Sequence, residues 1–203
     1  KTLLAGLWEM HTHFSGVEFG PALLAAGITT ARDCGGEFDY LVAQRDAVDK
    51  RNALGPRLLL AGLVDAGGEK AFGHIVAETP DAGRAVVRRY HDAGFQQIKL
   101  YTFLTPDVIR AIADEAHRLG MSVTGHVPRA LTPIEGVQAG MDQINHLSYV
   151  NTTIRDTGTE RAVEYAVACA ERRAAAHRDE TAVLVHGDVH QWNALVAGGE
   201  FKL

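Results

Sequence analysis

The chain has 203 residues, 46% of them hydrophobic and 22% charged, with a formal net charge of -5 and no block of Lys or Arg. That balance is ordinary for a globular protein with one good core, and it lacks the basic footprint of a nucleic-acid binder. The longest apolar runs, such as RLLLAGLV from Arg57 to Val64, fall well short of the ~20 residues that a bilayer-spanning helix needs.

A small-molecule substrate is therefore the expectation, with neither nucleic acid nor membrane as a partner. The two cysteines, Cys34 and Cys169, are too few and too far apart for a disulfide framework or a four-thiolate zinc site, and read as buried thiols. The first residue is Lys1 rather than Met, and Leu203 falls inside an apolar, strand-like pattern, so both ends read as cut and the natural N-terminus as missing. Targeting is not legible from such a start, and a cytoplasmic location is the expectation.

In chain order, a first strand is expected near residues 3–10, running into MHTHF at Met10 to Phe14. Side chains two apart on a strand project to one side, so His11 and His13 can present two imidazoles to one ion while Thr12 faces away. Taken alone, such a pair is more often two surface or core histidines.

Four later segments share one design: the end of a helix-like stretch, a Gly, then a strand-like run ending in polar chemistry. They are AAGITTARD ending at Asp33, DAGFQQIKL with Lys99, RLGMSVTGH ending at His126, and QAGMDQINH ending at His146. Gly27, Gly94, Gly120 and Gly140 suit the left-handed position that closes a helix. The stretches from Pro80 and from Thr105 carry apolar residues at helical spacing, with Thr79 and Thr105 as N-caps ahead of a first-turn Pro.

The pattern is β-α-β-α, hence a parallel sheet with right-handed crossovers. Polar residues recur at the carboxyl ends of the strands, which favours a barrel over an open sheet. Six strands are expected, near residues 3–10, 28–32, 57–63, 96–100, 121–125 and 142–146. The fold class is thus α/β, a partial (β/α)8 barrel of about six βα units.

After Tyr149 the rhythm fails. NTTIRDTGTE is polar and turn-rich, a long Ala- and Arg-rich helix is expected from about Glu160 to His177, and TAVLVH reads as a strand leading into the loop HGDVHQWN. A boundary is placed at residues 151–158, dividing residues 1–150 from 159–203.

Residues 1 to about 150 resemble the amidohydrolase superfamily, in its imidazolonepropionase-like and dipeptidase-like branch. The matching text is GLWEMHTHF, GITTARDCGG, QQIKLY, VTGHVP and DQINHL, in the family's order. The resemblance implies that His11, His13, Lys99, His126 and His146 are metal ligands, with Lys99 carboxylated by carbon dioxide and bridging two divalent ions, zinc or a similar metal. It implies that two ions a few Å apart lower the pKa of a bridging water and polarise the scissile carbonyl, so that an amide, peptide or cyclic amide is hydrolysed.

The resemblance also implies a barrel-closing strand carrying an aspartate that acts as ligand and general base, and that aspartate has no candidate in this sequence. Tyr101, on the same side as Lys99, and His74, after the third strand, are candidates for touching substrate; packing and a plain loop position are the other readings. Asp33 in the ARD segment is read as structural.

From about Thr159 the chain resembles the aminoglycoside phosphotransferase family, in its streptomycin and hydroxyurea kinase branch, through VLVHGDVHQWNAL. That resemblance implies Asp188 as the base for an acceptor hydroxyl and Asn193 as a magnesium ligand, with ATP as phosphate donor. The nucleotide-binding lobe and its lysine have no counterpart, and about fifty residues cannot bury a kinase core. Three functions follow: a metal-dependent hydrolase impaired by its missing strands, a phosphotransferase, or an inactive hybrid whose open barrel edge invites oligomerisation.

Overall fold

The computed structural model describes residues 3–69, 71–73, 75–146, 148–149, 195–197 and 200–202. Its centre is a five-stranded parallel sheet in the order β1-β2-β3-β4-β5, with β1 at Leu7–Thr12, β2 at Ile28–Asp33, β3 at Arg57–Val64, β4 at Gln97–Leu100 and β5 at Ser122–Gly125. Sequential order in an all-parallel sheet, with a helix in each crossover, is the arrangement of a partial TIM-type barrel. A separate antiparallel hairpin pairs β6, Leu195–Ala197, with β7, Glu200–Lys202.

The helices are α1 (Phe19–Ala25), α2 (Phe38–Arg51), α3 (Pro80–Asp92), α4 (Pro106–Arg118) and α5 (Pro133–Gln138). As expected, α3 and α4 begin at a Pro directly after Thr79 and Thr105; the Thr79 hydroxyl accepts from Ala82 N at 3.2 Å, whereas Thr105 makes no side-chain cap bond. The glycines that follow α1, α3, α4 and α5 take left-handed φ values of 83°, 79°, 73° and 108°.

Strand β3 is apolar along its length because both faces are covered, and Leu58, Leu60, Leu63 and Val64 are all buried. Helix α4 turns Val108, Ile109, Ile112 and Ala116 inward at helical spacing. Tyr90 of α3 lies across the backbone of β3: a Cβ on Gly62 would meet its ring, and its hydroxyl donates to Leu63 O at 2.6 Å. Cys34 is buried, as expected of a plain core thiol.

The sixth strand expected near 142–146 does not form. Asp142 N and Gln143 N both donate to Val123 O, at 2.8 and 3.2 Å, and Asn145 N donates to Gly125 O at 2.8 Å. The segment therefore lies along β5, but the Asp142 carboxylate takes the Val123 N–H at 2.7 Å. A doubled acceptor and an intruding side chain break the even spacing that a parallel ladder requires. Residues 151–194, with the expected long helix, the TAVLVH strand and Cys169, lie outside the described residues.

Gly125 decides how closely β5 approaches β4. At φ 142° it occupies a region that other residues rarely adopt, and an added Cβ would run into Leu100 O. Gly120 has φ 73° but nothing within 4 Å of an added Cβ. Gly120→Ala should therefore cost about 1–2 kcal/mol, the backbone penalty alone, and Gly125→Ala clearly more, because a backbone clash is added. Urea unfolding of the two variants measures the difference; equal costs would mean that the β4–β5 approach is not held by Gly125.

Candidate functional site

Parallel pairing puts the carboxyl ends of the strands on one rim. There β1 delivers His11, β4 delivers Lys99, His126 directly follows β5, and His146 ends the segment alongside it. The rings of His11 and His13 are 5.2 Å apart, those of His11 and His146 5.0 Å, and those of His126 and His146 4.9 Å. Lys99 is 1% exposed, and its charge is felt by His11 and by His126. The five residues singled out in the sequence thus share one place.

His13 arrives by a different route from the one its spacing suggests. Strand β1 ends at Thr12, and its register with β2 slips between Glu9 and Thr12. Local departures of this kind re-aim side chains beside functional sites. The freed groups find other partners: His11 N donates to Glu9 Oε1 at 2.8 Å, and a hydrogen bond of 2.7 Å joins His13 Nδ1 to Gly35 O. His146 is likewise set by its backbone, at φ 69°, a left-handed value uncommon outside glycine.

Burial, then the charge of Lys99, then neighbouring histidines hold His11 down to about 2 and His126 down to about 3. Both rings are therefore neutral at pH 7, with lone pairs to offer. His126 Nε2 and His146 Nε2 are 3.1 Å apart. Two nitrogens bound tetrahedrally to one zinc at ordinary bond lengths stand about 3.3 Å apart, so this pair fits a single ion with little movement. Among the described residues, no group of three or more His, Cys, Asp or Glu side chains is drawn together in a form that could hold a metal ion.

Two buried carboxylates near the rim are already occupied. Asp33 accepts from Phe14 N at 2.6 Å and Gly35 N at 2.9 Å, joining the segment after β1 to the β2 loop. Asp65 accepts from Ala66 N, Phe72 N and Phe103 N at 2.9, 3.2 and 2.7 Å, tying the loop after β3 to the loop after β4. Sequence reasoning missed Asp65, although an Asp at a strand end before Gly-Gly is the signal of a side chain capping its own turn.

Tyr101 stacks between Phe72, at 5.0 Å, and His126, at 4.3 Å, forming an aromatic wall that ends at the histidines. Phe103 and residues 66–69 and 71 line an open surface depression of about 390 Å³. His74, Asp188 and Asn193 lie outside the described residues.

The sequence matches the model of the amidohydrolase family over residues 2–187. The chain belongs to the amidohydrolase family. No curated protein sequence matches it. A solved structure described as a prolidase from Bifidobacterium longum is 28% identical, with a TM-score of 0.58 over 74% of this chain and 43% of that one. Bottromycin amidohydrolase, 24% identical, has a TM-score of 0.65 over 82% of this chain and 38% of its own length, and A. niger ochratoxinase, 16% identical, has a TM-score of 0.60; these two share the fold.

The chain thus spans about two-fifths of the first two of these relatives. None of these findings supports the phosphotransferase resemblance of residues 159–203.

The depressed histidines make the metal-free chain sensitive to acid. Their folded values lie below the ordinary 6.5, so between pH 6.5 and about 3 the unfolded chain binds more protons than the folded one. Stability is then full above 6.5 and falls as the pH drops through that window. Urea midpoints of the chelator-treated chain should decline from pH 7.5 to pH 5, and His126→Asn should flatten the decline. A midpoint that does not change with pH would contradict neutral, buried rings.

Proposed function

We propose that the chain carries the metal centre of a hydrolase acting on carbon–nitrogen bonds, with His11, His13, Lys99, His126 and His146 as the ligand set. The observation that carries the reading is the convergence of four imidazoles and a buried lysine on one rim of a parallel barrel sheet. Barrel enzymes place their chemistry on that rim, and neutral imidazoles are the form that ligates a metal. Bound divalent ions, zinc being the first choice for nitrogen-rich sites, supply Lewis acidity and an acidified water.

The chain's own residues supply the rest. His126 and His146 would hold one ion and His11 and His13 the other, with Lys99 near both pairs. An ammonium there would repel the ions. Addition of its neutral amine to carbon dioxide would form an N–C bond, release one proton to solvent and leave a carbamate whose single negative charge, shared by two oxygens, would suit metal ligation. Asp33 and Asp65 are engaged by backbone N–H groups and are assigned no proton-transfer role in this reading. The wall of Phe72, Tyr101 and His126 suits the apolar part of a small substrate, and the relative described as a prolidase makes a peptide bond to proline the first substrate class to test.

The test is metal stoichiometry by elemental analysis after chelation and reconstitution with zinc. Two ions per chain are expected, with loss of at least one in Lys99→Ala and in His126→Ala; a stoichiometry untouched by either substitution would sink the reading. Hydrolysis of Xaa-Pro dipeptides is then assayed on the reconstituted chain. The phosphotransferase resemblance makes a separate expectation, ATP binding that disappears in Asn193→Ala.

A further inference from the structure

Arg32 lies on β2, is 8% exposed, and reaches three other segments. Its Nε donates to Met10 O at 2.7 Å, and its Nη1 donates to Gln143 Oε1 at 2.5 Å and to Gln97 Oε1 at 3.4 Å. In the strand order β1-β2-β3-β4-β5, β2 does not neighbour β4. A side chain that reaches from β2 to Gln97 on β4 and to Gln143 beyond β5 must cross the concave interior of the sheet.

Each acceptor stands within three residues of a proposed ligand in sequence. Met10 precedes His11, Gln97 lies two residues before Lys99 on the same strand and hence on the same face, and Gln143 lies three residues before His146. Gln97 continues the layer by donating to Ser122 Oγ at 2.8 Å, four residues before His126. Barrel interiors are ordinarily packed with branched apolar side chains. A polar layer directly beneath the site departs from that pattern, and such departures concentrate where function requires them.

The guanidinium is suited to this task. It offers several N–H groups in a rigid plane, and the groups it reaches are the neutral oxygens of Met10, Gln97 and Gln143, with the Cys34 thiol beside it. The carbonyl of Met10 is available because the β1–β2 register slips between Glu9 and Thr12.

We infer that Arg32 is a positioning residue: through Met10, Gln97 and Gln143 it sets the mutual placement of His11, Lys99 and His146, and thereby the affinity of the centre for metal. The inference rests on the proposed metal site. Partners one step removed from the ligands commonly change metal affinity by about 10–100-fold when lost.

The test uses the full chain and zinc, titrated calorimetrically, with the imidazole nitrogen resonances of the metal-free protein as a second reading. Arg32→Met, similar in size but without donors, should weaken zinc binding about 10–100-fold and move the resonances of His11 and His146, leaving exposed His91 unmoved. Arg32→Lys, which keeps the charge and loses the fork, should remain weakened. An unchanged dissociation constant in a folded Arg32→Met chain, or full recovery in Arg32→Lys, overturns the inference.

If the unsubstituted chain binds no zinc, the metal reading fails by itself, and the histidine resonances alone decide the role of Arg32. If Arg32→Met does not fold, Gln143→Leu removes one arm of the clamp and should move His146; an unmoved His146 then overturns the inference.

Discussion

Lys99 on β4 stands opposite Thr124 on β5, and the hydrogen bond from His126 N to Leu100 O carries that register one step past the end of the strand. This parallel pairing is the constraint on which the site depends. It sets the height of the lysine and the first imidazole together, and the neighbouring segment, through Asn145 N on Gly125 O, sets that of His146. A slip of one residue would turn Lys99 to the helix-facing side of the sheet.

Backbone-directed carboxylates help to hold the rim. Asp33 joins the end of β1 to the turn after β2, and Asp65 joins the loops that follow β3 and β4. Loops that would otherwise be free to move are tied to the sheet at the point where the histidines emerge. Surface ion pairs lie farther out: Glu115 of α4 takes Arg88 of α3 and Arg118, and those arginines hold its carboxyl down to about 2. That clamp fastens helices to one another and leaves the site alone.

Family membership and geometry support each other without being the same observation. The family match spans residues 2–187, while the described rim is built from residues between His11 and Tyr149. Over the shared part, the solved structures agree in fold at identities as low as 16%. Such agreement at low identity is expected of a barrel, whose framework is kept by pattern and register while loops vary.

The sequence by itself determined most of the framework. Gly27, Gly94, Gly120 and Gly140 mark helix ends because only a residue without a Cβ sits easily at positive φ, and Thr-Pro marks two helix starts because Pro needs no N–H partner in the first turn. The positions of Lys99, His126 and His146 after those markers were legible for the same reason, and His11 from its two-residue spacing to His13. The tertiary structure alone decided three things. Residues 142–146 are not a strand, because the Asp142 side chain competes for the Val123 N–H. His13 is held by Gly35 rather than by strand alternation. Arg32 reaches across the interior to Gln97 and Gln143, which lie 65 and 111 residues away in sequence. Local rules read backbone preference within a few residues; competition for a shared donor and contact across a barrel arise only once distant segments meet.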